Sequence, residues 1–221
     1  MNSTQQSPVV RGFGWIADGA AGSLRKPQRF AWDDAAADNA RPPDGLFARP
    51  VRNWNRFDRT SRVVCSLCAL ALADAEIADE EGRKTATGLL ISNPNGALPA
   101  NRAYWQDYLD AGRQMARGNL FVYTLPSSPL AEAAIHFGFQ GPLLYLGGPG
   151  SETEQLRIAA RWIRTGEAET VVIVEADERA GVAVVIAATG PRSPDPAGPP
   201  ADLPASIARR FVAMQEMEKT W

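Results

Sequence analysis

GPLLYLGGPGSETE, residues 141–154, decides how the rest of the chain is read. An apolar run, Leu143, Leu144, Tyr145 and Leu146, meets a tight turn of Gly147, Gly148, Pro149 and Gly150. Ser151 and Glu154 then form a capping box at the head of an amphipathic segment that runs to Gly166. Strand, glycine turn, helix is a layout in which many enzymes hold a nucleophile or a phosphate.

Working outward, TATGLLISN (85–93) reads as a buried strand and PANRAYWQDYLDAGRQM (99–115) as a helix with Tyr104, Trp105 and Tyr108 on one face. NLFVYTL (119–125) reads as strand-like. SSPLAEAAIHFGF (127–139) reads as a helix capped by Ser127 or Ser128, with Pro129 in its first turn and Phe137 and Phe139 as core. ETVVIVEAD (169–177) and GVAVVIAAT (181–189) are apolar strands joined by a link too short for a crossover, so they should pair antiparallel at an edge. Strands alternating with helices from residue 85 onward predict an α/β fold with a mostly parallel sheet covered by helices on both faces and an antiparallel edge strand.

Upstream, PVVRGFGWI (8–16) is β-rich, residues 20–58 form a long irregular excursion, and residues 60–78 form a strongly apolar, buried helix. Downstream, PRSPDPAGPPADLP (191–204) is a Pro-rich linker. Residues 205–221 form an amphipathic helix with Ile207, Phe211, Met214, Met217 and Trp221 near one face. The chain thus divides into a domain over 1–190, the linker and the C-terminal helix.

With 221 residues, 45% of them hydrophobic, the chain can bury a substantial core. A net charge of −2 leaves no electrostatic footprint for nucleic acid, and no apolar run approaches the ~20 residues of a membrane span. The N-terminus lacks the layout of a secretory signal, so a cytoplasmic protein without membrane insertion is expected. Cys65 and Cys68 read as two small apolar residues of the 60–78 helix, because one histidine and no second Cys pair cannot complete a zinc site. No metal or cofactor is expected.

Three readings of the central turn compete. A dinucleotide site needs a third glycine where Thr153 stands, and Pro149 removes an amide; the acid closing the next strand would be Asp177 or Glu175. A serine hydrolase or acyltransferase would use Ser151, which needs a base; His136, the one histidine, reads as a surface or interface residue. A structural turn would use the glycines for close backbone approach.

Several segments together resemble the N-terminal half of β-ketoacyl synthases, of the thiolase-like fold. They are VVRGFGWIADG, NRFDRTSRVVCSLCALALADAEI, TGLLISNPNGALPANRAYWQDY, TLPSSPLAEAAIHFGFQGP and GEAETVVIVEAD, in the family's order across residues 8–190. In that family a nucleophilic cysteine sits on the turn after the Gly-Pro strand, at a helix N-terminus. Aligned from Ala159-Ala160-Arg161 that position is Pro149; aligned from Gly141-Pro142 it is Gly150. The family's two active-site histidines belong to a C-terminal half that this sequence does not include. The resemblance therefore implies a degenerate nucleophile turn (Gly148, Pro149, Gly150, Ser151), no catalytic residue and no condensation by the chain alone. It implies instead a subunit similar to chain length factors, which pair with an active ketosynthase and shape its acyl pocket in fatty-acid, polyene or polyketide biosynthesis. Leu143, Leu144, Tyr145 and Leu146 would be the strand that pairs across the two-fold, and Leu120 and Phe121 would reach toward the partner's pocket. Arg157, Arg161 and Arg164, repeating along the 151–166 helix, are candidates for docking an acyl carrier protein. An independent acyltransferase or hydrolase at Ser151, or a nucleotide-binding enzyme, is the alternative. The half-fold would also leave an apolar face open, to be covered by a partner, a second copy or the C-terminal helix.

Overall fold

The computed structural model describes residues 8–24, 29–32, 41–42, 44–79, 85–112, 115, 117–147, 152–188 and 212. Among the described residues seven strands form one sheet: β1 (Val9–Ala17), β2 (Ala20–Ser23), β3 (Arg29–Ala31), β4 (Thr87–Asn93), β5 (Leu143–Gly147), β6 (Thr170–Ala176) and β7 (Gly181–Ala187). Their order is β3-β2-β1-β7-β6-β4-β5. β4 pairs in parallel with both β5 and β6; the other four joins are antiparallel. Five strands consequently point one way, with β7 and β2 reversed between them.

Among the described residues five named α-helices flank the sheet: α1 (Arg59–Asp74), α2 (Leu98–Ala111), α3 (Gly118–Val122), α4 (Ser128–Phe137) and α5 (Glu152–Arg164). α1 is buried on nearly every side because it lies sandwiched between the sheet and α4, with Val63, Val64, Leu67, Cys68 and Ala71 in the core. Asp58 caps it, its carboxylate accepting the Ser61 N–H at 2.9 Å. Gly12 and Gly14 of β1 let α1 sit directly on the strand: a methyl at Gly12 would lie 2.4 Å from the Ala71 carbonyl oxygen. There β1 carries a bulge, and the Phe13 N–H donates to buried Asp74 at the end of α1 at 2.9 Å. Both cysteines are free and fully buried in α1, and burial pushes each thiol up, so they serve as packing.

On the opposite face α5 lays Leu156, Ala159, Trp162 and Ile163 against Leu90, Val171 and Ile173. The buried Gln155 side chain ties α5 to Ser92 of β4. Gly166 ends the helix at φ 73°, as its position after the amphipathic run requires.

Three expectations change. The excursion over 20–58 is not structureless: β2, β3 and a 3-10 turn at Trp54–Arg56 lie within it. Those strands are three and four residues long and carry no apolar alternation, so backbone pairing onto β1 defines them. β6 and β7 pair antiparallel, yet not at an edge, because β1 returns to the far side of β7. The antiparallel edge is the β2–β3 hairpin. NLFVYTL is helical over Gly118–Val122 rather than a strand. Among the described residues no strand pairs with it, and its amides close locally, Leu120 N–H to the Arg117 carbonyl at 3.0 Å and Thr124 N–H to Phe121 at 3.0 Å.

His136 is buried rather than exposed. Its ring lies edge-on to Phe47 and Phe137, and Nε2 is 3.5 Å from Asp79 Oδ2, whose other oxygen accepts from Arg49 Nε at 2.9 Å. The cluster pins the 44–50 loop and the end of the α1 connection to α4. Burial, reinforced by the Arg49 charge and only opposed by Asp79, holds the His136 pKa below its ordinary 6.5. The unfolded chain therefore binds the extra proton first, so stability is complete above about pH 6.5 and falls as pH drops from there toward the depressed value. Thermal melts from pH 7.5 to 5 should show this decline, and His136→Phe should flatten it over that window; an unchanged slope would remove His136 as its source.

Candidate functional site

β5 is the outermost strand on the parallel side of the sheet. Its register on β4 (Leu89 opposite Leu143, Ile91 opposite Tyr145), with the Leu89 N–H bonded to the Pro142 carbonyl at 2.9 Å, turns the Leu143 and Tyr145 amides away from β4. They face the open edge. The side chains are only partly covered: Leu143 is 45% exposed, and Leu144, Tyr145 and Leu146 are half-buried. Leu144 and Leu146 lean on the α5 side, Tyr145 on the α1 side. Gly141 holds the start of β5 close, since a methyl there would fall 2.7 Å from the Gly88 nitrogen. An edge with free backbone groups and partly exposed apolar side chains is a template for another strand.

The α2–α3 hairpin carries a second apolar surface. α2 buries no residue, and Trp105, Leu109, Phe121, Val122 and Leu125 are all at least half exposed. Trp105 stacks on Tyr108, and Phe121 meets Tyr104 edge-on at 5.5 Å between ring centres. The hairpin is held by Arg117, which donates from Nε (2.7 Å) and from its backbone N–H (3.0 Å) to Asp107. The Arg117 N–H, then its guanidinium, holds the Asp107 carboxyl below the usual range. Leu120 points into a cleft of about 580 Å³ between α3 and the N-terminus of α1. Arg56, Arg59 and Arg117 line the cleft against Asp58 and Glu178. Sequence reasoning missed this basic cleft, because its arginines come together only when the α1 and α3 segments pack.

Arg157, Arg161 and Arg164 are all exposed on the outer side of α5, with Arg157 3.2 Å from Glu154. The turn residues Gly148, Pro149, Gly150 and Ser151 lie outside the described residues. Two rival readings lose support nearby. His136 packs with α4 on the α1 side of the sheet, whereas α5 packs on the other, so the sheet stands between the histidine and the helix that follows Ser151. Asp177 is occupied in the β6–β7 turn, where Oδ1 accepts the Arg179 and Ala180 N–H groups at 2.8 and 2.9 Å. Among the described residues no cluster of His, Cys, Asp and Glu could hold a metal, and no helix is long and apolar enough to cross a membrane.

Among curated proteins none matches the chain. Solved structures with a similar fold include the ishigamide ketosynthase/chain length factor, at 17% identity, TM-score 0.57, covering 81% of this chain and 62% of that one. A ketosynthase in complex with its chain length factor from Xenorhabdus doucetiae matches at 16% identity and TM-score 0.51, covering 82% of this chain and 79% of that one. A type II PKS acyl-carrier protein in complex with its ketosynthase bound to the hexaketide matches at 11% identity and TM-score 0.63, covering 83% and 64%. This chain thus spans under two thirds of the length of the first and third, and a larger share of the second. The model of the β-ketoacyl synthase N-terminal domain matches residues 15–194. The chain belongs to the β-ketoacyl synthase N-terminal domain family and has its thiolase-like fold.

Proposed function

We propose that this chain is a non-condensing ketosynthase-like subunit, a chain length factor, that pairs through β5 with an active ketosynthase. The open β5 edge carries the reading: the strand that family resemblance assigns to the two-fold pairing is the one with free amides and partly exposed Leu143. Pairing two such strands would continue the sheet across both subunits. The α3 segment, with Leu120 and the exposed Phe121, would then lie at the partner's acyl pocket and limit chain growth. The condensing cysteine comes from the partner, since Pro149 or Gly150 holds its place here. Ketosynthase/chain length factor pairs among the structural neighbours support this role.

Co-expression with candidate ketosynthases tests it. A stoichiometric complex should copurify, with turnover only in the presence of the partner's cysteine. A monomer in every combination overturns the proposal, and turnover by the chain alone that is lost in Ser151→Ala favours the independent enzyme.

An acidic acyl carrier protein is a second partner supported by the exposed Arg157, Arg161 and Arg164 stripe. Reversing all three to Glu should weaken carrier binding to the complex by ~10-fold or more at low salt. Unchanged binding in that variant rules the stripe out as the docking surface.

A further inference from the structure

A second cavity, of about 360 Å³, lies between the C-terminal half of α1 and the 46–48 segment. Its volume is within the range of small-molecule pockets. Residues 76–79 and Phe137 of α4 complete its wall. α1 turns Ala69, Leu72 and Ala73 toward it, spaced i, i+3 and i+4 on one face. Two of these three are alanines, and side chains so small leave a hollow that longer ones would fill.

The wall is apolar apart from two carboxylates. Leu46, Leu72, Ile77 and Phe137 are its large side chains, and its two ionisable residues, Glu76 and Asp79, are both acids. The Asp79 side chain is only 10% exposed. Its Oδ1 accepts from Arg49 Nε at 2.9 Å, while Oδ2 has no hydrogen bond. His136 Nε2 stands 3.5 Å from Oδ2 and also makes no hydrogen bond. A buried carboxylate oxygen left short of donors is costly, and a positive charge nearby relieves it. The last turn of α1 contributes Leu72 and Ala73 to the wall and carries no basic residue, so the negative end of the helix dipole adds to the same field. The neighbouring cations stand outside the wall and are engaged. Arg11 Nη2 donates to the Ala75 carbonyl at 3.0 Å, and Arg49 is held by Asp79. Burial, then the Arg49 charge, keeps His136 below its ordinary pKa of 6.5 and therefore neutral at pH 7.

We propose that this cavity binds an alkylammonium group, its hydrocarbon body against Leu72, Ile77 and Phe137 and its charge beside Glu76 and Asp79. A free primary amine and a lysine side chain both carry that chemistry. A carboxylate ligand would meet two like charges, and an uncharged chain would leave them without a counterion. The cavity shares no residue with β5 or the α2–α3 hairpin, so binding does not depend on pairing with a ketosynthase.

His136, the one histidine of the sequence, supplies the reporter, an imidazole NMR signal 3.5 Å from Asp79. Titrating n-pentylammonium into the full-length chain at neutral pH and fixed ionic strength should shift that signal saturably. Pentan-1-ol should bind at least ~5-fold more weakly, and pentanoate should not bind. Ala48→Leu, at an exposed wall position, narrows the cavity, and Glu76→Gln removes the exposed carboxylate; each should weaken the amine at least ~3-fold. No saturable shift of the unmodified protein up to about 50 mM amine overturns the proposal without needing any variant to fold. Equal binding of pentan-1-ol overturns it as well, as does undiminished binding by both variants. Nα-acetyl-lysine methylamide separates the sources: competition at similar concentration identifies a lysine side chain, and failure to compete identifies a free amine.

Discussion

Leu143→Pro should weaken the proposed pairing with a ketosynthase by ~30-fold while leaving the isolated chain folded. The Leu143 N–H points away from β4, so proline removes no hydrogen bond inside the subunit. Pro142 precedes it and already holds the backbone extended, the conformation that a following proline requires. Across the interface the same change removes a ladder donor and places a ring against the incoming strand. A lost interfacial hydrogen bond and imperfect packing together amount to about 2 kcal/mol, or ~30-fold in Kd. Leu143→Lys should act in the same direction by placing a charge on the edge proposed to pair. Sizing and calorimetric titration of the complex give the affinity, and the melting curve of the lone subunit is the control. Full-strength pairing by both variants would show that β5 is not the interface and would remove the main support for the chain length factor reading.

Gly12→Ala should be the most damaging conservative change in the core. The added methyl would fall 2.4 Å from the Ala71 oxygen and 2.5 Å from the Ala75 nitrogen, both backbone atoms of the α1 C-terminal turn. Neither can swing aside, so α1 must lift from β1, and the Phe13–Asp74 hydrogen bond beside it is strained as well. Overpacking of this kind costs about 3 kcal/mol, which for a chain of this length is ~10 °C in Tm. Gly118→Ala is the matched control: nothing lies within 4 Å of its added methyl, and alanine favours the helix it occupies. A Gly12→Ala protein that melts with the parent would refute the close α1–β1 contact.

Much of the fold could be read because each major element carries its own pattern. The stripe of Leu156, Ala159, Trp162 and Ile163 fixes α5, and the apolar runs at 87–93 and 143–147 fix β4 and β5. What escaped depends on distant partners. AAGS has no strand signal of its own and becomes β2 only by pairing with β1. Leu120–Val122 have strand-forming side chains but, among the described residues, no neighbouring strand. His136 looked superficial because its burial comes from Phe47 and Asp79, far away in sequence. The site divides the same way. Leu143–Leu146 were legible as a strand, and their place at the edge emerged from the β4 pairing. The cleft of Arg56, Arg59 and Arg117 belongs to packing alone.

The position of β7 also constrains how the chain can be made. Among the described residues the last strand to be synthesised lies in the middle of the sheet, joining the β1–β3 ribbon to the β6-β4-β5 block. Until residue 187 has left the ribosome, these two parts are separate, each with an unpaired flank waiting for the same strand. At ~5–20 residues per second that interval lasts several seconds, long enough for the exposed flanks to meet other chains. A nascent chain stalled before Gly181 is therefore a natural client for chaperones, and the final insertion of β7 closes the sheet in a single late step.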